Sequence, residues 1–147
     1  MYRLAHVINT VLGLAAEQKI MVNSEKLNAM LYKIYMLYIK KTGAPLFADG
    51  FLASERGPVL ENMNGKTHRQ QNRPVKQWFM DEDGETVSVD LSNDKDLKEI
   101  CHSVLSEWGS KEATWVMLSN ARDGSAWKRA RIKHLRYLDD GDILREA

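Results

Sequence analysis

Apolar and polar positions follow a helical period over most of this chain. Leu4, Ile8, Val11, Leu12 and Ala15 recur at three- and four-residue spacing and predict a first helix over about 2–18, with Gly13 inside it. Leu27, Met30, Leu31, Ile34, Leu37 and Tyr38 form one apolar stripe of a second helix. Ser24 is its expected N-cap, Glu25 suits the positive end of the helix dipole, and Lys40 and Lys41 suit the negative end. Gly43 can take a left-handed cap, and Pro45 stops the helix. Residues 50–56 read as extended. Gly57-Pro58 then places Pro58 at the first position of a short helix over 59–63, ended by Gly65.

Two short strands are expected at 75–80 and 85–90, joined by the turn Asp81-Glu82-Asp83-Gly84. A lone hairpin is marginal in water, so Trp78 or Phe79 is expected to pack on the helical body. Asn93 or Asp94 opens a helix whose buried face carries Leu97, Ile100, Cys101, Val104, Leu105 and Trp108, ended by Gly109. Further helices are expected from Ser110 to about 120, over about 126–135, and from Asp139 or Asp140 through Leu144. The sum is an α+β chain, mainly α. It has six to seven helices and a small β-hairpin in one compact domain spanning 1–147.

Composition narrows the role. With 147 residues and 44% apolar content the chain can build one real core. Its 21 basic and 20 acidic residues give a net charge of +1, which argues against a dedicated nucleic-acid binder. One cysteine, Cys101, permits no intrachain disulfide and no Cys-rich zinc site. No apolar run reaches the ~18 residues of a membrane span, and the N-terminus lacks a signal layout. A soluble cytoplasmic protein with no membrane partner is the expectation.

Catalytic chemistry is not visible. His6, His68, His102 and His134 are scattered, and adjacent Cys101 and His102 point about 100° apart on a helix, so no metal site is expected. There is no nucleophile elbow and no phosphate-cradling glycine loop. Asp81-Glu82-Asp83 reads as a solvated turn. Neither catalytic residues nor a cofactor is expected.

Charge is segregated. Residues 81–99 sum to −6, residues 122–136 to +5, and residues 65–77 to +4. The plain reading is that oppositely charged segments face each other or are solvated. The sharper reading is a basic surface for a partner, made of Lys66, Arg69 and Arg73 in one loop and Arg122, Lys128, Arg129, Arg131 and Lys133 around the basic helix. A protein partner is favoured over nucleic acid, because few aromatic residues interleave with those bases beyond Trp127 and Tyr137.

Four blocks resemble one family. Lys26-Leu27-Asn28-Ala29-Met30-Leu31-Tyr32 is similar to the Lys-Leu-Gln-Lys-Leu-Leu-Tyr motif of the Panacea domain, the SocA-like or phage-associated GepA-like family. Thr42-Gly43-Ala44-Pro45-Leu46-Phe47 resembles its Gly-x-Pro-Leu-Phe, and Ala53-Ser54-Glu55-Arg56-Gly57-Pro58-Val59 its Ala-Trp-x-Tyr-Gly-Pro-Val. Leu118-Ser119-Asn120, then Gly124-Ser125-Ala126-Trp127, resembles its Leu-Thr-His…Gly-Ser-Pro-Trp. The order is kept along nearly the whole chain. Departures are Ala29 for the second Lys, Ser54 for Trp, Arg56 for Tyr, Asn120 or Ala121 at the His, and Ala126 for Pro.

The resemblance implies a mostly helical bacterial or phage protein of antitoxin type, which neutralises a cognate toxin by direct binding. Alternatives are a proteolytic adaptor that engages an ATP-dependent protease, a phage-encoded modulator of a host factor, and a DNA-binding autoregulator using the basic helix after Ser125. The matched residues Lys26, Leu31, Tyr32, Gly57, Pro58 and Trp127 are read as fold maintenance ahead of partner contact. Tyr32 is expected to reach the Gly-Pro turn, Lys26 to stay in water, Gly57-Pro58 to lead into a helix N-terminus, and Trp127 to anchor the C-terminal helices. Arg145-Glu146-Ala147 reads as a flexible end.

Overall fold

The computed structural model describes residues 1–61, 75, 78–110 and 125–146. Five helices and one two-stranded antiparallel hairpin occur among them. Helix α1 spans Leu4–Glu17 and buries Leu4, Val7, Ile8, Val11, Leu12 and Ala15. Its end is closed by Lys19 at φ 57°, with the Ile20 amide donating to Ala15 O.

Helix α2, Ser24–Thr42, is the centre of the molecule. Its cap is Asn23, not Ser24: the Asn23 side chain accepts from the Lys26 amide at 2.8 Å, and Ser24 is already helical. Gly43 takes the left-handed cap at φ 74°. Lys26 through Tyr32 are all buried, which is nearly two full turns, so no face of this stretch is left to solvent. The expectation of one apolar stripe therefore understates its burial.

After α2, Phe51–Ser54 (β1) and Gly57–Leu60 (β2) pair antiparallel, with Phe51 opposite Leu60 and Ser54 opposite Gly57. This corrects the expected helix beginning at Pro58. Gly57 sits at φ 122°, which only glycine adopts readily, and closes a two-residue turn at Glu55-Arg56. Pro58 lacks an amide, and the carbonyl of its partner Ala53 accepts from the Arg131 guanidinium at 3.2 Å. The Ala53 amide donates to Arg136 O, and the Leu138 amide donates to Phe51 O, both at 2.9 Å. Residues 136–138 thus line the free edge of β1, where Tyr137 bridges Leu52.

The edge of β2 is closed by one side chain. Asn28 of α2 donates to Pro58 O and accepts from the Leu60 amide, both at 2.7 Å. Its amide takes the place of one residue of a neighbouring strand.

Among the described residues, the hairpin expected at 75–90 is not a paired sheet. Its turn forms, with the Gly84 amide on Asp81 O, the Asp81 amide on Glu85 O, and Gly84 at φ 77°. Residues 78–80 and 85–90 carry no ladder. The arms are held by α1. Asn9 donates to Phe79 O and Val87 O and accepts from the Phe79 amide, and Thr10 accepts from the Val89 amide. Asn9 is therefore buried and fully engaged, and this segment is a strap over α1. Phe79 packs on the core as expected, and Trp78 lies against Gly13.

A short 3-10 turn at Leu91–Asn93 leads to α3, Lys95–Trp108, capped by Asp94. Gly109 ends α3 in right-handed geometry, and a Cβ there would meet Leu105 O at 2.5 Å and Ile20 Cδ1 at 2.6 Å, so close packing is the reason for glycine. Helix α4 is Ser125–Ile132 and α5 is Asp140–Leu144, capped by Asp139. The basic helix ends earlier than expected, with His134 at φ 56°. The helix expected over 110–120 lies outside the described residues. The class, mainly α with a small hairpin, agrees with expectation; the helices described are fewer, and the hairpin sits at 51–60.

Replacing Asn28 by Ala strands a buried carbonyl and a buried amide on β2, so Asn28→Ala is expected to cost about 2–4 kcal/mol in urea unfolding. A loss under about 1 kcal/mol would contradict the edge-closing role.

Candidate functional site

The basic helix was the sharpest sequence candidate. In α4 the buried residues Ala126 and Ala130, four apart, form the face laid on the body. Trp127 is half-buried and donates its indole N–H to Ser54 O at 2.6 Å. It anchors α4 to β1. The Arg131 guanidinium lies 6.0 Å from the Trp127 ring centroid and donates to Ala53 O. Arg129 pairs with Asp142 of α5 at 3.0 Å, and Arg136 with Glu61 at 2.6 Å. Arg129 and Arg131 thus hold the fold, and reversing their charge would disturb packing as well as any partner.

Other groups on this surface face solvent. Ile132 is 77% exposed, and Lys128, Lys133 and Leu135 are also exposed. Helix α4 ends in a Schellman turn: the Leu135 amide donates to Ala130 O and the His134 amide to Arg131 O. His134 occupies the left-handed position where glycine is usual. The face is therefore a short helix end with an isoleucine in water beside lysines. Sequence reasoning named the bases and missed Ile132 and Leu135. The available signal was that Ile132 falls off the Ala126–Ala130 face.

Lys66, Arg69, Arg73 and Arg122 lie outside the described residues. The acidic segment does not face the basic one through any described ion pair. Arg3 reaches Asp81, Glu82 and Asp83, and His6 Nε2 sits 2.7 Å from Asp81 Oδ2. The hydrogen bond from His6, then the backbone amides of Glu85 and Asp83, hold the Asp81 carboxyl down to about 2, and Arg3 adds to this.

The residues matched to the Panacea motifs are spent on the interior. Lys26 is buried, not wet, and its ammonium donates to Gly109 O at the end of α3; burial lowers its pKa. Leu31 is fully buried in the core. Tyr32 does not reach the Gly-Pro turn; its hydroxyl donates to Glu146 Oε1 at 2.7 Å. Asn28 is the residue that reaches Pro58. Gly57 and Pro58 are buried strand residues rather than the start of a helix.

Glu146 is the least expected of these groups. It is 3% exposed, and its Oε1 also accepts the Ala126 amide at the N-terminus of α4, at 3.0 Å. A carboxylate there suits the positive helix end. The expectation of a flexible end fails at this residue. Burial pushes its carboxyl above the usual range, against the hydrogen bonds from Tyr32 and Ala126 and the charges of Lys33 and Lys40.

Catalytic chemistry finds no support in the cysteine: Cys101 is buried, and desolvation, with the Asp94 charge, pushes its thiol up to about 12. Among the described residues no cluster of three or more His, Cys, Asp or Glu could hold a metal ion. None of the described helices is long and apolar enough to cross a membrane. No family model, curated protein or solved structure matches the chain.

Glu146 gives a pH prediction with a definite sign. Its raised folded-state pKa means that the native state keeps this proton to higher pH than the unfolded chain does. Its contribution to stability is therefore lost as pH rises from about 4 through the folded pKa. Glu146→Gln keeps an acceptor without the charge. Its stability relative to the parent should climb between about pH 4 and pH 7 in denaturant titrations. A flat or falling difference would contradict the assignment.

Proposed function

We propose that the chain acts by stoichiometric protein binding, as an antitoxin-type protein that neutralises a cognate toxin, with the exposed end of α4 as the contact surface. The observation that carries this reading is Ile132, 77% exposed at the end of a helix flanked by Lys128 and Lys133. With Leu135, 44% exposed three residues on, Ile132 can supply apolar burial to a partner, and Lys133 beside it can steer an acidic one. The order of the four Panacea-like blocks supports the antitoxin class. Engagement of the motif residues in the interior supports a division of labour, in which the motifs maintain the fold and α4 meets the partner.

The test is co-expression with the product of the neighbouring open reading frame. That product should be toxic alone, harmless with this chain, and should co-purify with it. Ile132→Asp should weaken the complex by at least about tenfold while leaving the melting temperature within about 2 °C, as an exposed position allows. A harmless neighbour that does not co-purify would overturn the antitoxin reading. A complex unaffected by Ile132→Asp would remove α4 from it.

A further inference from the structure

Two surfaces of this chain are complements of each other. Residues 81–90 hold five acids and no base, while residues 125–137 hold five bases (Lys128, Arg129, Arg131, Lys133 and Arg136) and no acid. The Asp81 side chain is only 2% exposed and is engaged by His6 and Arg3, so the acids at the surface are Glu82, Asp83, Glu85 and Asp90. Each also shows apolar groups to solvent: Met80, 60% exposed, and Val87, 39%, on the strap; Ile132 and Leu135 at the end of α4. The described ion pairs of each segment go elsewhere, the acids to Arg3 and His6 and the bases to Asp142 and Glu61. Among the described residues, Glu85 of the strap and Lys133 at the end of α4 are exposed and enter no ion pair. Both surfaces are held stiffly for their exposure, the strap by Asn9 and Thr10 and α4 by Trp127, Arg131 and Glu146.

We propose that the occupant of the α4 end, when no other partner is present, is the acidic strap of a second copy of this chain. A two-fold arrangement uses the contact twice, strap on α4 and α4 on strap, and closes at two copies. The charges would speed and orient encounter, while Ile132 and Leu135 against Met80 and Val87 supply the burial. This inference does not depend on the antitoxin reading, because it concerns the chain alone.

Sedimentation velocity on the full chain tests it. At low ionic strength a monomer–dimer equilibrium is expected, shifting to monomer as salt shortens the screening length to about 3 Å at 1 M. Lys133→Glu should raise the dissociation constant about tenfold, and adding Glu85→Lys to it should recover most of that loss. Both positions are exposed, and circular dichroism melts would register any loss of fold. A chain that stays monomeric at low salt, a dimer indifferent to salt and to Lys133→Glu, a double variant no tighter than the single one, or a ladder of larger species would each overturn the two-fold pairing.

Discussion

Helix α2 is buried over most of its length, with no face open between Lys26 and Tyr32, so the polar groups on its buried faces need partners inside, and those partners set the position of nearly everything else. Tyr32, Tyr35 and Tyr38 stand three residues apart along it. Tyr32 donates to Glu146 beyond α5, Tyr35 to Asp140 in the first turn of α5, and Tyr38 to Asp94, the cap of α3. Asn28 closes the edge of β2, and Lys26 holds the last carbonyl of α3. One helix thus fixes the hairpin, both ends of α3 and the C-terminal helices by hydrogen bonds made in a low-dielectric interior. There, leaving a group unmet costs more than making the bond gains. The rings reinforce this frame: Tyr32 and Tyr35 pack edge-on against Phe51 with centroids 5.1 and 5.4 Å away.

Asp94 shows how tightly the frame is drawn. Its Oδ2 accepts from Tyr2 at 2.6 Å and from Tyr38 at 3.1 Å, while Oδ1 caps α3 through the Leu97 amide. Burial pushes this carboxyl up, and the three donors more than offset it, so its pKa is lowered. The N-terminus, α2 and α3 meet on one carboxylate. The surface at the end of α4 inherits its position from the same frame, because Glu146 connects Tyr32 to the first turn of α4.

Much of the helical framework was legible because it rests on local rules. The apolar spacing of α1, the face of α3, the Gly43 cap and the Asp94 and Asp139 caps all follow from short-range chemistry. What was illegible depends on contacts between distant residues. Ser24 and Asn23 are equally good caps until the side chain that reaches the Lys26 amide is seen. Gly57-Pro58 opens a helix by local preference, but 136–138 and Asn28 offer it two strand edges from 79 and 30 residues away in sequence, counted from Pro58 to Tyr137 and to Asn28. The arms at 78–90 alternate like strands, yet Asn9 of α1 takes the hydrogen bonds that a ladder would use. The bases of the candidate site were countable, but the count could not separate Arg129 and Arg131, which hold the fold, from Lys133, which faces water.

All five tyrosines of the chain donate to carboxylates: Tyr2 and Tyr38 to Asp94, Tyr32 to Glu146, Tyr35 to Asp140 and Tyr137 to Glu61. Burial raises the pKa of Tyr2, Tyr32, Tyr35 and Tyr38, aided by those carboxylates, and the hydrogen bond to Glu61 raises that of Tyr137. The native state therefore holds these protons. The stability they confer is complete below the unfolded tyrosine pKa of about 10 and is lost above it. An ultraviolet titration of the phenolates with circular dichroism followed in parallel is the direct measurement. The four tyrosines other than Tyr137 should stay protonated past pH 10 and ionise together as the helical signal collapses. Stepwise ionisation near pH 10 in a chain that remains folded would contradict the tyrosine–carboxylate frame.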